Sequence, residues 1–219
     1  MIKQKILVTV DNVIFSIVEN KPQVLLIKRA IDPFKGEWAI PGWFVLDDED
    51  TEKAAYRELE EETNVKNAYL EQLYTFSDVD RDPRWRVVSI AYMALVNRES
   101  MTIKAGSDAN DAQFFPINKL PKLAFDHKKI INYAIQRLKW KFEYTNVAQY
   151  ILPKKFTLSE LQNVYEIVME QTFDVRNFRK KIEKLNIIKE TGEKEVGVQN
   201  RPAKLYTFVN KWIKIVDII

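Results

Sequence analysis

Residues 41–65, PGWFVLDDEDTEKAAYRELEEETNV, decide the fold of this chain. Asp50 or Thr51 can cap a helix that we expect to end near Thr63. Three carboxylates in this helix stand at i, i+3 and i+4 and therefore share one helical face. They are Glu58, Glu61 and Glu62.

The acidic face is open to two interpretations. Neighbouring carboxylates repel each other by about a few tenths of a kcal/mol per pair, so the face is either solvated or screened by a divalent cation. Mg²⁺ suits the second interpretation, because it takes carboxylate oxygens together with substrate phosphates. Arg57 lies four residues before Glu61 and could hold that carboxylate in position.

The spacing around this face resembles the Nudix box: Gly, five residues, Glu, seven residues, Arg-Glu-apolar-any-Glu-Glu-any-Gly-apolar. Seven of its nine specified positions match, namely Glu49, Arg57, Glu58, Leu59, Glu61, Glu62 and Val65. Asn64 replaces the second Gly, and Asn is the next best residue for the left-handed end of a helix. Trp43 replaces the first Gly, where an indole could displace the loop or occupy part of the phosphate path.

The resemblance implies a catalytic set. In Nudix hydrolases this face binds Mg²⁺, for which Mn²⁺ can substitute, and a water attacks a diphosphate. The implied metal ligands are Glu58, Glu61 and Glu62. Arg57 and Glu49 would support them, and Asp111, with Asp108 behind it, is the candidate for an additional acidic residue outside the box.

Residues 77–96, SDVDRDPRWRVVSIAYMALV, resemble the RDPR stretch of ADP-ribose pyrophosphatases and of related regulators. Arg81 and Arg84 could pair with ligand phosphates through bidentate hydrogen bonds. Arg29 is a weaker candidate of the same kind, and Trp43 could stack on an adenine. An Asp-Pro turn is also ordinary loop punctuation, so a structural role for this stretch stays open.

Composition narrows the class of protein. The absence of cysteine among 219 residues excludes disulfide scaffolds, cysteine-ligated zinc and thiol nucleophiles. The apolar run at the start is broken by Asp11 and Asn12, so we expect a cytoplasmic protein without a membrane partner. The single histidine, His127, begins a predicted helix and is assigned no functional role.

The basic residues concentrate in the last third of the sequence. From Tyr150 onward there are thirteen basic and nine acidic residues, so this part carries the whole basic excess of a chain with net charge +3. Such an excess suggests either a nucleic-acid partner or simple solubility.

The pattern of this last third predicts a helix-turn-helix. Thr157 and Glu160 have capping-box spacing before an apolar stripe, and Asp174 can cap a second helix, VRNFRKKIEKLNII. The predicted outward residues near the start of the second helix are Arg176, Asn177, Arg179 and Lys180. Arg and Asn are the side chains best shaped for bidentate contacts to base edges, so this helix is predicted to enter the major groove of DNA. A basic helix that only contacts another protein is the alternative.

A predicted β-hairpin follows at 189–208, with Arg201 and Lys204 placed to contact DNA. The order of motifs along the chain resembles the Nudix-related transcriptional regulators, of which NrtR is the type. The resemblance implies an α/β fold, with a Nudix α/β/α sandwich in 1–142 and a small winged helix-turn-helix domain in 143–219.

Two functions follow from this resemblance. In the first, a homodimeric regulator binds an operator in double-stranded DNA and senses an ADP-ribose-like or sugar-related metabolite through its Nudix domain. In the second, a Mg²⁺-dependent hydrolase of ADP-ribose pyrophosphatase type carries an appended winged-helix module. The sequence leaves hydrolytic activity open, because the carboxylates of the box are kept while Trp43 interrupts it.

Overall fold

A computed structural model describes residues 5–65, 68–101, 109–197 and 201–219. The chain divides into two compact units, the first reaching Ile135 and the second comprising Gln136–Ile219 together with Glu19–Lys21. The division lies seven residues before the predicted boundary at 142, which remains a prediction. Along the described ranges, no helix is long and apolar enough to cross a membrane.

The first unit contains a mixed sheet. Its strands are β1 (Leu7–Val18), β2 (Lys21–Arg29), β3 (Trp38–Ala39), β4 (Gly42–Phe44), β5 (Tyr69–Phe76), β6 (Val87–Leu95) and β7 (Ala109–Pro116). The central order is β3-β2-β1-β6-β5, while β4 pairs with β1 and β7 pairs with β2. Strands β1 and β6 run parallel, and the other described pairs are antiparallel. The short apolar runs KILVTV, QVLLIK and RVVSIAYMALV favour strands in the sequence, and they contribute to β1, β2 and β6, which supply much of the buried core.

Helix α1 (Thr51–Thr63) follows local rules closely. The side chain of Asp50 accepts a hydrogen bond from the amide of Lys53, and Asn64 ends the helix in the left-handed conformation at φ 55°. Both ends were predicted from the sequence and are confirmed. The buried side of the helix packs on the sheet through Ala54, Ala55 and Leu59. Glu58 and Glu62 are buried on the same side, whereas Glu61 is exposed.

Helix α2 (His127–Tyr144) starts where the sequence predicted it, after Asp126. The division between the two units falls within this helix. Its first half contributes Ile130, Ile131 and Ala134 to the core of the first unit, each fully buried.

Besides the second half of α2, the second unit contains two further α-helices and a hairpin. These are α3 (Leu158–Met169), α4 (Val175–Lys184) and the antiparallel pair β8 (Ile188–Lys194) and β9 (Lys204–Phe208). Aromatic rings join the helices, with the Tyr165 ring 5.1 Å from that of Phe142 and 5.6 Å from that of Phe178. The predicted capping box of Thr157 and Glu160 and the predicted cap at Asp174 are both present. Helix α4 ends at Lys184, slightly earlier than the sequence suggested.

Candidate functional site

Arg57 is the centre of the charge cluster on α1. Its Nε and Nη2 donate to the two carboxylate oxygens of Glu49 at 3.1 and 2.7 Å. Its Nη1 donates to Glu58 and lies 3.7 Å from Glu61 Oε1. The hydrogen bond with Arg57 is the main reason that the pKa of Glu49 lies below its ordinary value. Arg57 therefore orders Glu49 and Glu58 by hydrogen bonds and forms a longer ion pair with Glu61.

The three predicted metal ligands differ in exposure. Glu58 and Glu62 are 6% and 3% exposed, whereas the side chain of Glu61 is 57% exposed. In the described parts of the chain, no three acidic or histidine side chains converge closely enough to form a ready metal site. The donors available are carboxylate oxygens, which fit a hard divalent cation in chemistry. Metal binding would therefore require Glu58 to share its carboxylate with Arg57.

The strand before α1 explains how Trp43 is accommodated. Gly42 lies opposite Asp11 in the β4–β1 pair, and a Cβ built on it would lie 2.1 Å from the carbonyl oxygen of Val10. Only glycine allows this approach. Trp43 comes next in the strand, and because side chains alternate between the two faces, it points away from the face of Gly42. Trp43 is 36% exposed. Of positions 42 and 43, only 43, where Trp replaces the first Gly of the box, has room for a side chain.

A small cavity of about 50 Å³ lies beside this strand. Its walls include all four residues predicted to bind ligand: Arg29, Trp43, Arg81 and Arg84. Phe125 and His127, at the start of α2, complete the wall with residues of β1 and β4. The structure thus brings together four predicted ligand-binding side chains that are up to 55 positions apart in the sequence.

The guanidinium of Arg81 is already engaged. It is 4% exposed and donates to both oxygens of Asp126, at 3.1 and 2.8 Å, and to Asp11 Oδ2 at 3.3 Å. Ser89 also donates to Asp11. This geometry makes Arg81 a brace between β1, the RDPR loop and the start of α2. A phosphate contact by Arg81 remains a prediction, and it would compete with these two carboxylates.

Arg84 and Arg29 are held differently from Arg81. Arg84 pairs with Asp82 at 2.8 Å, and its guanidinium lies 4.8 Å from the Trp85 ring while its side chain keeps 26% exposure. Arg29 is buried and donates to the carbonyl oxygen of Pro33 at 2.8 Å. Of the arginines in the pocket, Arg84 is therefore the one best placed to meet a ligand phosphate.

His127 has a structural contact within the same wall. The amide of Ile40 donates to its Nδ1 at 2.9 Å, and its Nε2 lies 3.7 Å from Asp11 Oδ1. Burial lowers the pKa of His127 below its ordinary value, against the opposing effect of nearby Asp11 and Asp126. The ring is therefore neutral and accepts the hydrogen bond that fixes the loop before β4.

The structure does not bring Asp111 to the acidic helix. Asp111 is exposed and lies opposite Lys28 in the β7–β2 pair. Its neighbour Phe114 packs against the cluster that contains Leu59 of α1, so the alternation of β7 turns Asp111 to the other face. Asp108, the residue predicted behind it, lies outside the described residues. Among the described residues, no contact between Asp111 and the acidic helix supports its predicted catalytic role, which stays a prediction.

Helix α4 presents the polar face that the sequence predicted. Phe178 and Ile182 are buried, while Arg176, Asn177, Arg179 and Lys180 are all exposed. Arg201 and Lys204 are exposed on the hairpin, where Lys204 pairs with Glu190 at 2.9 Å. The arrangement of two helices and a hairpin with an exposed basic second helix is that of a winged helix-turn-helix.

Comparison with known families decides the identity. The NUDIX domain model matches residues 9–134, and the model of the NrtR DNA-binding winged helix domain matches residues 148–208. An ADPR responsive transcriptional repressor, NtrR, of Acinetobacter baylyi is 35% identical over 92% of this chain and 82% of its own. This chain belongs to the NrtR family.

Two further comparisons support the two halves of this NrtR-family chain. The crystal structure of Shewanella oneidensis NrtR with a 27mer DNA has a TM-score of 0.82 at 35% identity, covering 92% of this chain and 93% of that one. The ADP-ribose pyrophosphatase of Methanocaldococcus jannaschii is 45% identical over 57% of this chain and 71% of its own. The fold is a Nudix domain followed by a winged helix, as predicted. Hydrolases with Nudix domains depend in general on a divalent metal.

Sequence reasoning missed part of the pocket in this NrtR-family member. Asp11 and Asp126 accept hydrogen bonds from Arg81, and Ser89 donates to Asp11, yet none of the three was assigned a site role. Asp11 did leave a signal, because a charged residue in the middle of an apolar strand needs a buried partner. The identity of that partner, 70 positions away, had no signal in the local sequence.

Proposed function

We propose that this chain is a DNA-binding transcriptional regulator whose Nudix domain senses an ADP-ribose-like metabolite. The observation that carries the proposal is the exposed basic face of α4 in a winged-helix domain, present in the same chain as a Nudix domain with an arginine-lined pocket. The relative in Acinetobacter baylyi, described as ADPR responsive, supports the same combination of partners.

The DNA-binding part rests on side-chain chemistry. Arg176 and Asn177 are exposed at the first turn of α4. Arg can donate two hydrogen bonds to guanine and Asn can pair with adenine in the major groove. Lys180 follows one turn later, and the exposed Arg201 and Lys204 extend the basic surface along the hairpin. The proposed partner is an operator in double-stranded DNA, bound by a homodimer in the cytoplasm.

The ligand part rests on the pocket beside β4. Arg84 is the partly exposed arginine of that pocket, and Trp43 supplies an exposed aromatic surface. A diphosphate joined to a planar base matches these two features, because guanidinium groups bind phosphates and indoles stack on bases. An ADP-ribose-like ligand, or a related sugar phosphate, meets that description.

The proposed metal is Mg²⁺, with Mn²⁺ as its substitute, held by Glu58, Glu61 and Glu62. Such an ion supplies positive charge that stabilises the diphosphate of the ligand. Arg57, itself held by Glu49, would position Glu58 through a hydrogen bond and Glu61 through an ion pair at 3.7 Å. In this proposal the acidic face and the pocket serve the same ligand.

A gel-shift titration tests the proposal. The purified chain is titrated on the intergenic DNA beside its own gene, at fixed salt, with and without ADP-ribose and Mg²⁺. We expect the affinity for the intergenic DNA to exceed the affinity for random DNA. We also expect ADP-ribose to change the affinity for the intergenic DNA. Equal affinity for both DNAs would contradict the regulator. Specific binding that ADP-ribose leaves unaltered would contradict its role as the ligand.

A second candidate is the hydrolase itself. The 45% identity to an ADP-ribose pyrophosphatase and the ordered set of Arg57, Glu49 and Glu58 favour it. Release of AMP from ADP-ribose in the presence of Mg²⁺ would reveal this activity. Glu61→Gln should then abolish it, while an unchanged turnover in that variant would remove the acidic face from the mechanism.

A further inference from the structure

A basic cleft in the second unit is separate from the outward stripe of α4. The cleft has a volume of about 330 Å³ and lies between the first turn of α3, the side of α4 and the β8–β9 hairpin. Its walls contain four cationic side chains, Arg179, Lys194, Arg201 and Lys204. None of the described residues that line it is acidic. A cleft of this composition attracts an anion.

Arg179 faces this cleft rather than the stripe expected to meet the bases. On α4, Arg176 and Lys180 are four positions apart and therefore lie on one line of the outward face. Arg179 lies to the side of that line, and its Nη2 donates to Ser159 Oγ at 3.2 Å. Ser159 belongs to the first turn of α3, so this hydrogen bond directs the guanidinium of Arg179 away from the line of Arg176.

The ion pairs around the cleft show which of its cationic side chains are available to bind an anion. Lys204 is partly neutralised by Glu190 at 2.9 Å. Arg201 and Lys194 form no ion pair within the ranges that the structure describes. The capping box of α3 uses the amides of Thr157 and Glu160. The remaining amides of the first turn add partial positive charge to that of Arg179 and Arg201.

We propose that this cleft binds one phosphodiester of the DNA backbone, and that Arg179 holds that phosphate rather than a base. The inference rests on the proposed DNA-binding function and refines it. Phosphate contacts set the register of the protein on DNA and carry no sequence information themselves, whereas base contacts specify the sequence. Arg179 and Arg176, three residues apart on one helix, therefore have different tasks. Ser159 is a positioning residue for the Arg179 guanidinium.

The two tasks separate in a binding experiment. The full chain, Arg179→Ala and the matched control Arg176→Ala are titrated at several salt concentrations on two duplexes. One duplex is selected by the protein from a random-sequence pool, and the other is a scrambled duplex of the same composition. We expect Arg179→Ala to weaken binding to both duplexes by the same factor and to reduce the salt slope by about 1. Arg176→Ala should weaken binding to the selected duplex alone.

A phosphate scan locates the contact. Single phosphates of the selected duplex are replaced by neutral methylphosphonates, and each duplex is titrated with wild type and with Arg179→Ala. We expect one position in each half-site whose replacement weakens wild-type binding but leaves the Arg179→Ala variant unaffected. If every replacement weakens both proteins equally, or if Arg179→Ala weakens only the selected duplex, the phosphate role is wrong.

Failure of the proposed function has a different outcome. If wild type binds selected and scrambled duplexes equally, the sequence-specific regulator is contradicted, while the loss of affinity caused by Arg179→Ala on either duplex still decides the role of the cleft. If wild type enriches no duplex from the pool and does not bind the scrambled duplex, both proposals are overturned. Circular dichroism melting of each variant distinguishes weaker binding by a folded protein from unfolding.

Discussion

Helices α1 and α4 are both highly charged, but they treat their charges in opposite ways. On α1, Arg57 pairs with Glu49 and Glu58. On α4, Arg176, Asn177 and Lys180 are exposed, and the described ion pair of this helix is the long one between Lys181 and Asp217 at 3.8 Å. The cluster of Arg57, Glu49 and Glu58 satisfies its charges within the protein, and the outward face of α4 presents its charges to solvent.

The difference indicates what each surface is built to meet. A small ligand needs a few groups held at fixed positions, which internal hydrogen bonds provide. DNA supplies a dense row of negative charges of its own, so cations that face it gain their partners only when DNA binds. Internal pairing should therefore govern stability in the Nudix domain, and exposed charge should govern affinity in the winged helix.

The strongest way to break this contrast is to remove the buried cation Arg81. Arg81→Ala leaves Asp11 and Asp126 without their counter-charge, and removal of one partner from a buried pair costs about 3–5 kcal/mol. Urea unfolding followed by tryptophan fluorescence should show that loss of stability. Arg86→Ala is the matched control, because Arg86 in the same loop donates to the carbonyl of Asp78 near the surface. Equal destabilisation of both variants would contradict the bracing role of Arg81.

The converse test acts on α4. Replacing Arg176 and Lys180 together by alanine should weaken binding to the selected duplex by about 1–3 kcal/mol for each base that the variant can no longer reach. The free energy of unfolding should change by less than about 0.5 kcal/mol, because both side chains are exposed. Isothermal titration on DNA and urea unfolding measure the two quantities. A large loss of stability with intact DNA affinity would reverse the proposed contrast.

These two variants also mark how far the sequence could predict the site. The bounds of α1, its cap at Asp50 and the shared face of Glu58, Glu61 and Glu62 follow from spacing within one helix. The partners of Arg81 depend on which strands become neighbours, and that information is spread along the whole chain. Asp111 illustrates the limit, because its acidic character was visible but the face it takes on β7 was not.

The same limit applies within α4. Exposure of Arg179 could be predicted from helical periodicity, and the structure places it on the exposed side. Its contact with Ser159 needed the packing of α3 against α4. A one-dimensional pattern therefore places a side chain on a face, while its chemical role depends on the neighbouring element.

A pH titration sharpens the contrast at His127, which faces Asp11, Asp126, Arg81 and Arg29. Burial keeps its folded-state pKa below the ordinary value of about 6.5, so the unfolded chain takes up a proton first as the pH falls. Stability contributed by neutral His127 is present above about pH 6.5 and is lost below it. The loss of stability caused by protonation of His127 should be smaller than that caused by Arg81→Ala, because it adds one proton and leaves the ion pairs of Arg81 in place.

His127→Gln provides the reference for that titration. Both proteins keep the surrounding carboxylates, so the difference between their unfolding free energies from pH 8 to pH 5 isolates the histidine. The wild type should lose more stability than the variant over this range. Parallel curves would show that His127 contributes nothing to the pH dependence.

The smallest expected effects come from two equivalent caps. Asp50→Ala on α1 and Asp174→Ala on α4 each remove one hydrogen bond to a helix amide, and each should cost about 1 kcal/mol of stability. Only Asp174→Ala should also tighten DNA binding, because it removes a negative charge beside the basic face. Thermal melting and a DNA titration of both variants measure this. Tighter binding by both would mean that the effect is not local to α4.

Gly42 and Trp43 set unequal limits on how this chain can be altered. Consider a library randomised at both positions and selected for folded protein. It should return glycine at 42, because a Cβ there would collide with the Val10 carbonyl oxygen at 2.1 Å. At 43 it should return a wide range of side chains. A restricted position of the pocket and an exposed one are thus adjacent. Redesign of ligand preference has a natural starting point at 43, where new chemistry can enter the pocket without disturbing the pairing of β4 with β1.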